Sequence, residues 1–239
     1  MTTSLKKKKI LLAKSSGGGS SILTRVQGTA KVTADNVSTI AFTLSTPPSV
    51  GNAIIVSISA GGGSTPAFPA NGCVDNRGNT YVLAQADTSA SKAQRTAIYY
   101  CSNITATGNP FTITVTSSSS LWMTGNAIEV SGRITVDKMA AGESSGATAT
   151  PASGPTTALT ANNVLLIGIM TTNFGKASLV VESLTPPWLQ EVEELSASHS
   201  VGEIDSRILT NALGTTPSGN WVMNSGDQWV AAIVAFKAP

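Results

Sequence analysis

From about residue 29 onward the apolar residues of this chain come in short runs rich in Val, Ile, Thr, Tyr and Phe, each bounded by Gly, Pro, Asn, Asp or Ser. That punctuation accommodates strands joined by turns and leaves no room for a long amphipathic helix. In KVTADNVSTIAFTLS, Val32 precedes a turn, and Ile40, Phe42 and Leu44 alternate with Ala41 and Thr43, which predicts a strand with one apolar face. AIIVSIS is almost continuously apolar and fits a central strand buried on both sides. The glycine run and two prolines of GGGSTPAFPANG make a long loop, because they cannot supply a hydrogen-bond ladder.

VDNRGNTYVLAQ reads as a hairpin turning at Asn76 to Asn79, with Tyr81 and Leu83 facing the same way. RTAIYYCS is a further strand, and FTITVTSSSSLWMTGNAIEVSG reads as two strands joined by a serine-rich connection. Ala140 to Thr160 is nearly free of large apolar residues and is expected as a long surface loop or an extended edge segment. The buried-strand pattern resumes in ANNVLLIGIMTTN, which needs the first half of the chain as a partner, so a single body is expected.

SLVVESL, WLQEVEELSAS, RILTNAL, NWVMNS and QWVAAIVAFKAP follow. WLQEVEELSAS has helical spacing in Leu189, Val192 and Leu195, but Trp188 follows a Pro-Pro pair and His199 to Gly202 resembles a turn back, which favours a strand. About a dozen short strands with no convincing helix imply an antiparallel β-sandwich or jelly roll.

Charged residues make up 12% of the 239 residues, against about 25% in an average soluble protein. Ser, Thr, Gly, Ala and Asn fill the space, a surface that interacts through hydroxyls, amides and backbone. The net charge is +2, and four of the fifteen basic residues are consecutive: Lys6, Lys7, Lys8 and Lys9. Without them the body is close to neutral, which argues against sequence-independent binding of duplex nucleic acid.

In the opening stretch MTTSLKKKKILLAKSSGGGSS the apolar part runs only from Ile10 to Ala13 before Lys14 closes it. It is too short for a secretory signal, which needs roughly 7–15 apolar residues, or for a membrane span of roughly 20. A solvated tail, a basic patch for an anionic partner, and an arm that orders on another subunit all remain open.

Catalytic groups are sparse. The single histidine, His199, would need Asp205 and a serine to form a nucleophilic set, and no G-x-S-x-G elbow is present. Glu182, Glu191, Glu193, Glu194 and Glu203 form the main acidic cluster, and Glu191 and Glu193 would share one face of a strand. Few aromatics are available to line a sugar cleft, so a solvated strand face is the expectation and no enzymatic activity is predicted.

Asp75, Asn76 and Asn79 offer oxygen ligands at a turn, but Arg77 sits among them and turn chemistry alone explains these residue types, so neither a metal nor a cofactor is expected. Cys73 and Cys101 are expected as buried free thiols. Trp122, Trp188 and Trp221 are candidate sugar contacts if exposed, but in a chain with so few aromatics core filling is the favoured role for the four tryptophans, Trp229 included; Trp188 is the one expected at a surface.

The order of GNAIIVSIS, VDNRGNTYVLAQ, RTAIYYCSNIT, FTITVTSSSS, NAIEVSG, NNVLLIGIM and QWVAAIVAFK, over roughly Ala53 to Lys237, resembles a β-sandwich domain of phage virion and bacterial surface proteins. The resemblance implies a capsid decoration (cement) protein made in the host cytoplasm and placed on the virion surface. It would be a homotrimer bridging major capsid protein subunits, with no membrane partner. The alternative it leaves is a carbohydrate-binding adhesin module on a tail or particle surface. It also implies an extended N-terminal arm over residues 1–28, anchored through Ile10, Leu11, Leu12, Ile22, Leu23 and Val26 with Lys6 to Lys9 at its head, and a sandwich over 29–239.

Overall fold

The structure, a computed structural model, describes residues 22–62, 68–89, 94–174, 181–182, 188–195 and 200–239. In chain order the strands are β1 (Arg25–Gly28), β2 (Val32–Leu44), β3 (Ala53–Gly61), β4 (Cys73–Asp75), β5 (Val82–Thr88), β6 (Gln94–Cys101), β7 (Phe111–Val130) and β8 (Thr135–Thr148). They continue as β9 (Ala152–Pro155), β10 (Val164–Phe174), β11 (Val181–Glu182), β12 (Leu189–Glu194), β13 (Ser200–Leu209), β14 (Ser218–Asn220), β15 (Val222–Met223) and β16 (Asp227–Lys237).

The first seven strands make one antiparallel sheet in the order β1-β7-β3-β6-β5, with β2 and β4 also paired to β7. Five later strands make a second sheet in the order β12-β13-β10-β16-β8. The all-β class and the two-sheet sandwich agree with the strand-and-turn pattern of the sequence. The wiring departs from a jelly roll, because each sheet is drawn from its own stretch of chain and the backbone does not alternate between the two.

The sheets meet face to face through Ala53, Ile55, Ile98, Ile128 and Val130 on one side and Leu165, Ile167, Ile169, Val234 and Phe236 on the other. Each outer face is covered as well. Ile54, Val56 and Ile58 of β3 point away from that seam into a second core with Ile40, Phe42, Leu44, Phe111, Ile113 and Val115. Beyond the second sheet, Met170, Ala231, Trp229, Trp221 and Met223 form one cluster, and Leu159, Leu166, Ala212, Ile233 and Ala235 another. This double cover is why β3 and β16 read as continuous apolar runs rather than alternating ones.

Strand β7 builds both layers of the first half. Its residues 111–116 and 121–125 pair with β2, and 122–130 pair with β3 on the other side. Between them Ser117 to Ser120 face a jump in the β2 register from Thr39 to Val37, so the serine-rich run is an irregular stretch within one 20-residue strand and not a link between two. Serine continues the strand because its hydroxyl satisfies local backbone: Ser117 Oγ donates to the Ser119 carbonyl at 2.5 Å.

Two further expectations are corrected. VDNRGNTYVLAQ is not a hairpin, since β4 pairs with β7 and β5 with β6. Val32 opens β2 instead of preceding a turn, with register shifts near Ala34 and Val37 absorbing the irregularity. Ala140 to Thr148 belong to β8, an edge strand, which is the extended alternative of the two foreseen. The segment WLQEVEE does form a strand, β12, antiparallel to β13.

Gly125 of β7 is flanked by Val32 and Ile58, and a Cβ there would strike the Ser57 carbonyl oxygen of β3 and crowd Ile58 and Phe42. A backbone oxygen in a paired central strand cannot yield. Gly125→Ala is therefore expected to cost roughly 2–3 kcal/mol in urea unfolding. Gly146→Ala on the edge strand β8, where the nearest atom would be Ser144 Oγ at 3.9 Å, should stay within about 0.5 kcal/mol.

Candidate functional site

The head of the expected arm, Lys6 to Lys9 with Ile10, Leu11 and Leu12, lies outside the described residues. The rest of it divides. Ile22 and Val26 are 60% and 50% exposed, whereas Leu23 is 1% exposed and packs into the seam between the sheets. Thr24 donates through its N–H and its hydroxyl to Ser131 Oγ at 2.9 and 2.8 Å, and β1 pairs with the end of β7.

Arg25 then reaches across to the second sheet, donating to both oxygens of Glu191 at 2.8 and 3.0 Å. The body thus begins by Leu23, ahead of the boundary expected at residue 29, because β1 completes the edge of the first sheet. The Glu191 carboxylate also accepts from Ser206 Oγ at 2.8 Å and Asn126 Nδ2 at 3.4 Å. A register shift between Gln190 and Val192 accompanies this placement, so Glu191 is committed to Arg25 instead of forming a strand-face pair with Glu193.

Two of the three candidate sugar-contact tryptophans are core residues. Trp122 is 5% and Trp221 1% exposed, so neither ring offers a face for stacking. Trp122 lies within β7 and Trp221 between β14 and β15, a context that their own residue types do not reveal. Trp188 is half-buried, packs against both outer clusters of the second sheet, and carries the Arg207 guanidinium 5.9 Å above its ring.

Glu203 and Asp205 alternate with Ile204 along β13 in VGEIDSR, and both are fully buried. Ile204 faces the seam, so the two carboxyls face the opposite way, under Trp221. Trp221 Nε1 donates to Asp205 Oδ2 at 3.2 Å and Gln190 Nε2 to Glu203 Oε1 at 3.3 Å. Among the described residues no other side chain or N–H donates to the two remaining oxygens, Glu203 Oε2 and Asp205 Oδ1.

Burial, then the neighbouring Asp205 charge, pushes Glu203 up to about 9. Burial also pushes Asp205 up to about 7, opposed by the Trp221 hydrogen bond. Glu203 therefore holds a proton at neutral pH and hydrogen-bonds Asp205. Sequence reasoning named Glu203 and Asp205 only in other roles. The available signal was their spacing of two on a strand with apolar neighbours.

A second acidic feature is open. A cleft of about 190 Å³ lies between the free edges of the two sheets, lined by Asp87 and Thr88 of β5, Ala141, Gly142 and Glu143 of β8, and Val230 of β16. Gln85 Nε2 donates to both Asp87 oxygens at 2.9 and 2.8 Å. Burial raises the Asp87 carboxyl, Gln85 opposes that, and the Glu143 charge adds to it. Nothing local in the sequence pairs Asp87 with Glu143, which topology alone brings together.

The turn oxygens are committed to the protein. Asp75 accepts from the Arg77 and Asn79 N–H groups at 2.9 and 3.1 Å, Asn79 Nδ2 at 2.8 Å and the Tyr81 hydroxyl at 3.1 Å. Asn79 Oδ1 in turn accepts from the N–H groups of Thr105 and Ala106. Asn76 Nδ2 donates to the Pro110 carbonyl at 2.9 Å. Cys73 and Cys101 are free, buried thiols, as expected; burial pushes both up in pKa. His199 and the Glu182 side chain lie outside the description. Comparisons with protein-family models, curated proteins and solved structures returned no match.

The buried acid pair sets a pH dependence. Both folded-state pKa values lie above the ordinary carboxyl range, so the unfolded chain ionises first as pH rises. The stability the pair permits is complete below about pH 4. It declines as pH climbs toward 7 for Asp205 and 9 for Glu203. Thermal unfolding of Glu203→Gln between pH 5 and 9 should show a fall in Tm smaller than that of the unsubstituted protein by roughly 4 °C, equivalent to about 1–2 kcal/mol at this size.

Proposed function

We propose that this chain is a structural protein of a particle surface, a phage capsid decoration or cement protein that bridges neighbouring shell subunits. The observation that supports it most is the fixed start of the body. Leu23 is locked in the inter-sheet seam and Thr24 is tied to Ser131, so the lysine-bearing segment before them is tethered to one firm point on a compact sandwich. A tethered segment adds contacts to a neighbour at high effective concentration, and repetition over a shell multiplies modest individual contacts. The hydroxyl-rich, charge-poor composition suits docking onto protein through backbone and hydroxyl groups. The trimer expected from the resemblance belongs to this proposal, as does the virion location.

The test is binding to phage shells purified without this protein, comparing the full chain with a form starting at Ile22, which keeps Leu23 and β1. The full chain is expected to bind and raise the temperature at which shells are lost, and the 22–239 form to bind at least tenfold more weakly. Absence of binding by both forms overturns the reading.

Trp188 supports a second reading, a sugar-binding module, because it alone of the three candidate rings retains exposed surface, with the Arg207 donors beside it. On a glycan array, any retained sugar should be lost with Trp188→Ala and kept with Trp122→Phe if that reading holds. Retention of the same sugar by Trp188→Ala would remove it.

A further inference from the structure

The two sheets have opposite ends with different properties. At one, β1 and β12 are joined by the Arg25–Glu191 pair, and the chain enters the body there. At the other, β5 and β8 end their sheets unpaired on one side among the described residues, and the acidic cleft lies between them. β8 runs on opposite β16 at its full length, pairing Met139 with Val234 and Ala141 with Ala232, two positions of the inter-sheet seam. Met139 and Ala141 therefore face the first sheet, yet both are exposed, as is Glu143 two residues on. Among the described residues the first sheet stops at β5, and this strip stays exposed.

The strip presents a methionine, an alanine and a carboxylate in alternation, with the Asp87 carboxylate across the cleft and no basic residue among the described lining residues. One segment of the same chain has the complementary composition: Lys6 to Lys9 followed by Ile10, Leu11 and Leu12. We infer that this segment of one copy docks in the β5–β8 cleft of a second copy. Lysine ammonium groups meet Asp87 and Glu143, and the following apolar residues cover Met139 and Ala141 beside the free backbone edge of β8. Addition of an extended segment to an unpaired sheet edge supplies main-chain hydrogen bonds, while the charges set register and partner.

Donor and acceptor sit at opposite edges of the sandwich, four strand spacings or roughly 19 Å apart. The chain from Lys9 to Ile22 spans up to roughly 45 Å when extended, enough to leave its own body and enter the next. A contact between two different surfaces is head-to-tail, and such contacts close into rings when the rotation permits. The inference rests on the arm-bearing structural role proposed for this chain, and gives that arm its acceptor.

Sedimentation velocity decides it, using the full chain, the 22–239 form, a Lys6, Lys7, Lys8 and Lys9 to Ser variant, and Asp87→Asn combined with Glu143→Gln. The full chain is expected to assemble, with dissociation promoted at least tenfold by raising salt from 0.05 to 0.5 M as screening shortens the reach of the charges to about 4 Å. The other three forms should sediment as monomers with unchanged unfolding midpoints. Exchanging the charges, with Lys6 to Lys9 as Glu and Asp87 and Glu143 as Lys, should restore assembly.

A monomeric full chain overturns the inference, including the case in which its arm is protected from hydrogen exchange by its own cleft. Assembly that survives loss of the arm or of both acids also overturns it. Shell binding is read separately: a monomer that still binds shells ends this inference alone, and an assembled protein that binds none ends the decoration role alone.

Discussion

Ile55, Ile98 and Ile128 press from one sheet onto Leu165, Ile167 and Val234 of the other, and the rest of the molecule is arranged around that seam. Full burial of such side chains contributes about 1.5–3 kcal/mol each. The seam consumes only one face of each sheet, and the opposite faces are as apolar, so each demands a cover. β2, β4 and the first half of β7 supply it on one side, and the β9, β14 and β15 segments on the other. Even the polar groups that interrupt the seam are paired: Ser59 Oγ donates to Thr171 Oγ1 at 2.5 Å, which donates to the Arg95 carbonyl at 2.9 Å.

Because the layers exclude water, each buried carboxylate is governed by its count of donors. Glu129 receives Gln27 Nε2 at 2.7 Å, the Ser49 N–H at 2.9 Å and Asn52 Nδ2 at 2.6 Å, tying β1 and the connection from β2 to β3 to the end of β7. Asp75 receives four donors and fixes the turn after β4. Glu203 and Asp205 together receive two donors for four oxygens, one each from Gln190 and Trp221. A shared proton makes up part of that deficit, and its loss is what links this face of the second sheet to pH.

The two acidic features differ in what they can serve. The Glu203–Asp205 pair is sealed beneath Trp221 and bears on stability. Asp87 and Glu143 line an open cleft at a pair of sheet edges that have no partner strand among the described residues, where natural sandwiches need a blocking device or a partner. Exposed Met139 beside them is apolar surface of the kind a partner covers. The firm attachment at Leu23 and Arg25, at the far edge, gives any segment before it a fixed point of departure.

The strand pattern was legible in the sequence because period-two burial leaves a direct mark: Ile40, Phe42 and Leu44 alternate, and β3 and β16 run apolar throughout. What depended on distant partners was not. The hairpin expected around Asn76 dissolved because β4 and β5 each found a better partner far along the chain, and the serine run stayed within β7 because β2 matched it with a bulge. Trp122 and Trp221 carry no local record of their burial, and Leu23 looked like arm until β1 supplied the edge of a sheet. The sequence by itself determined the all-β class, the buried strands and the free thiols, since these follow from residue type and spacing. Tertiary structure decided which strands pair, which carboxyls lose water and which edges stay open, because those outcomes arise between residues that only folding brings together.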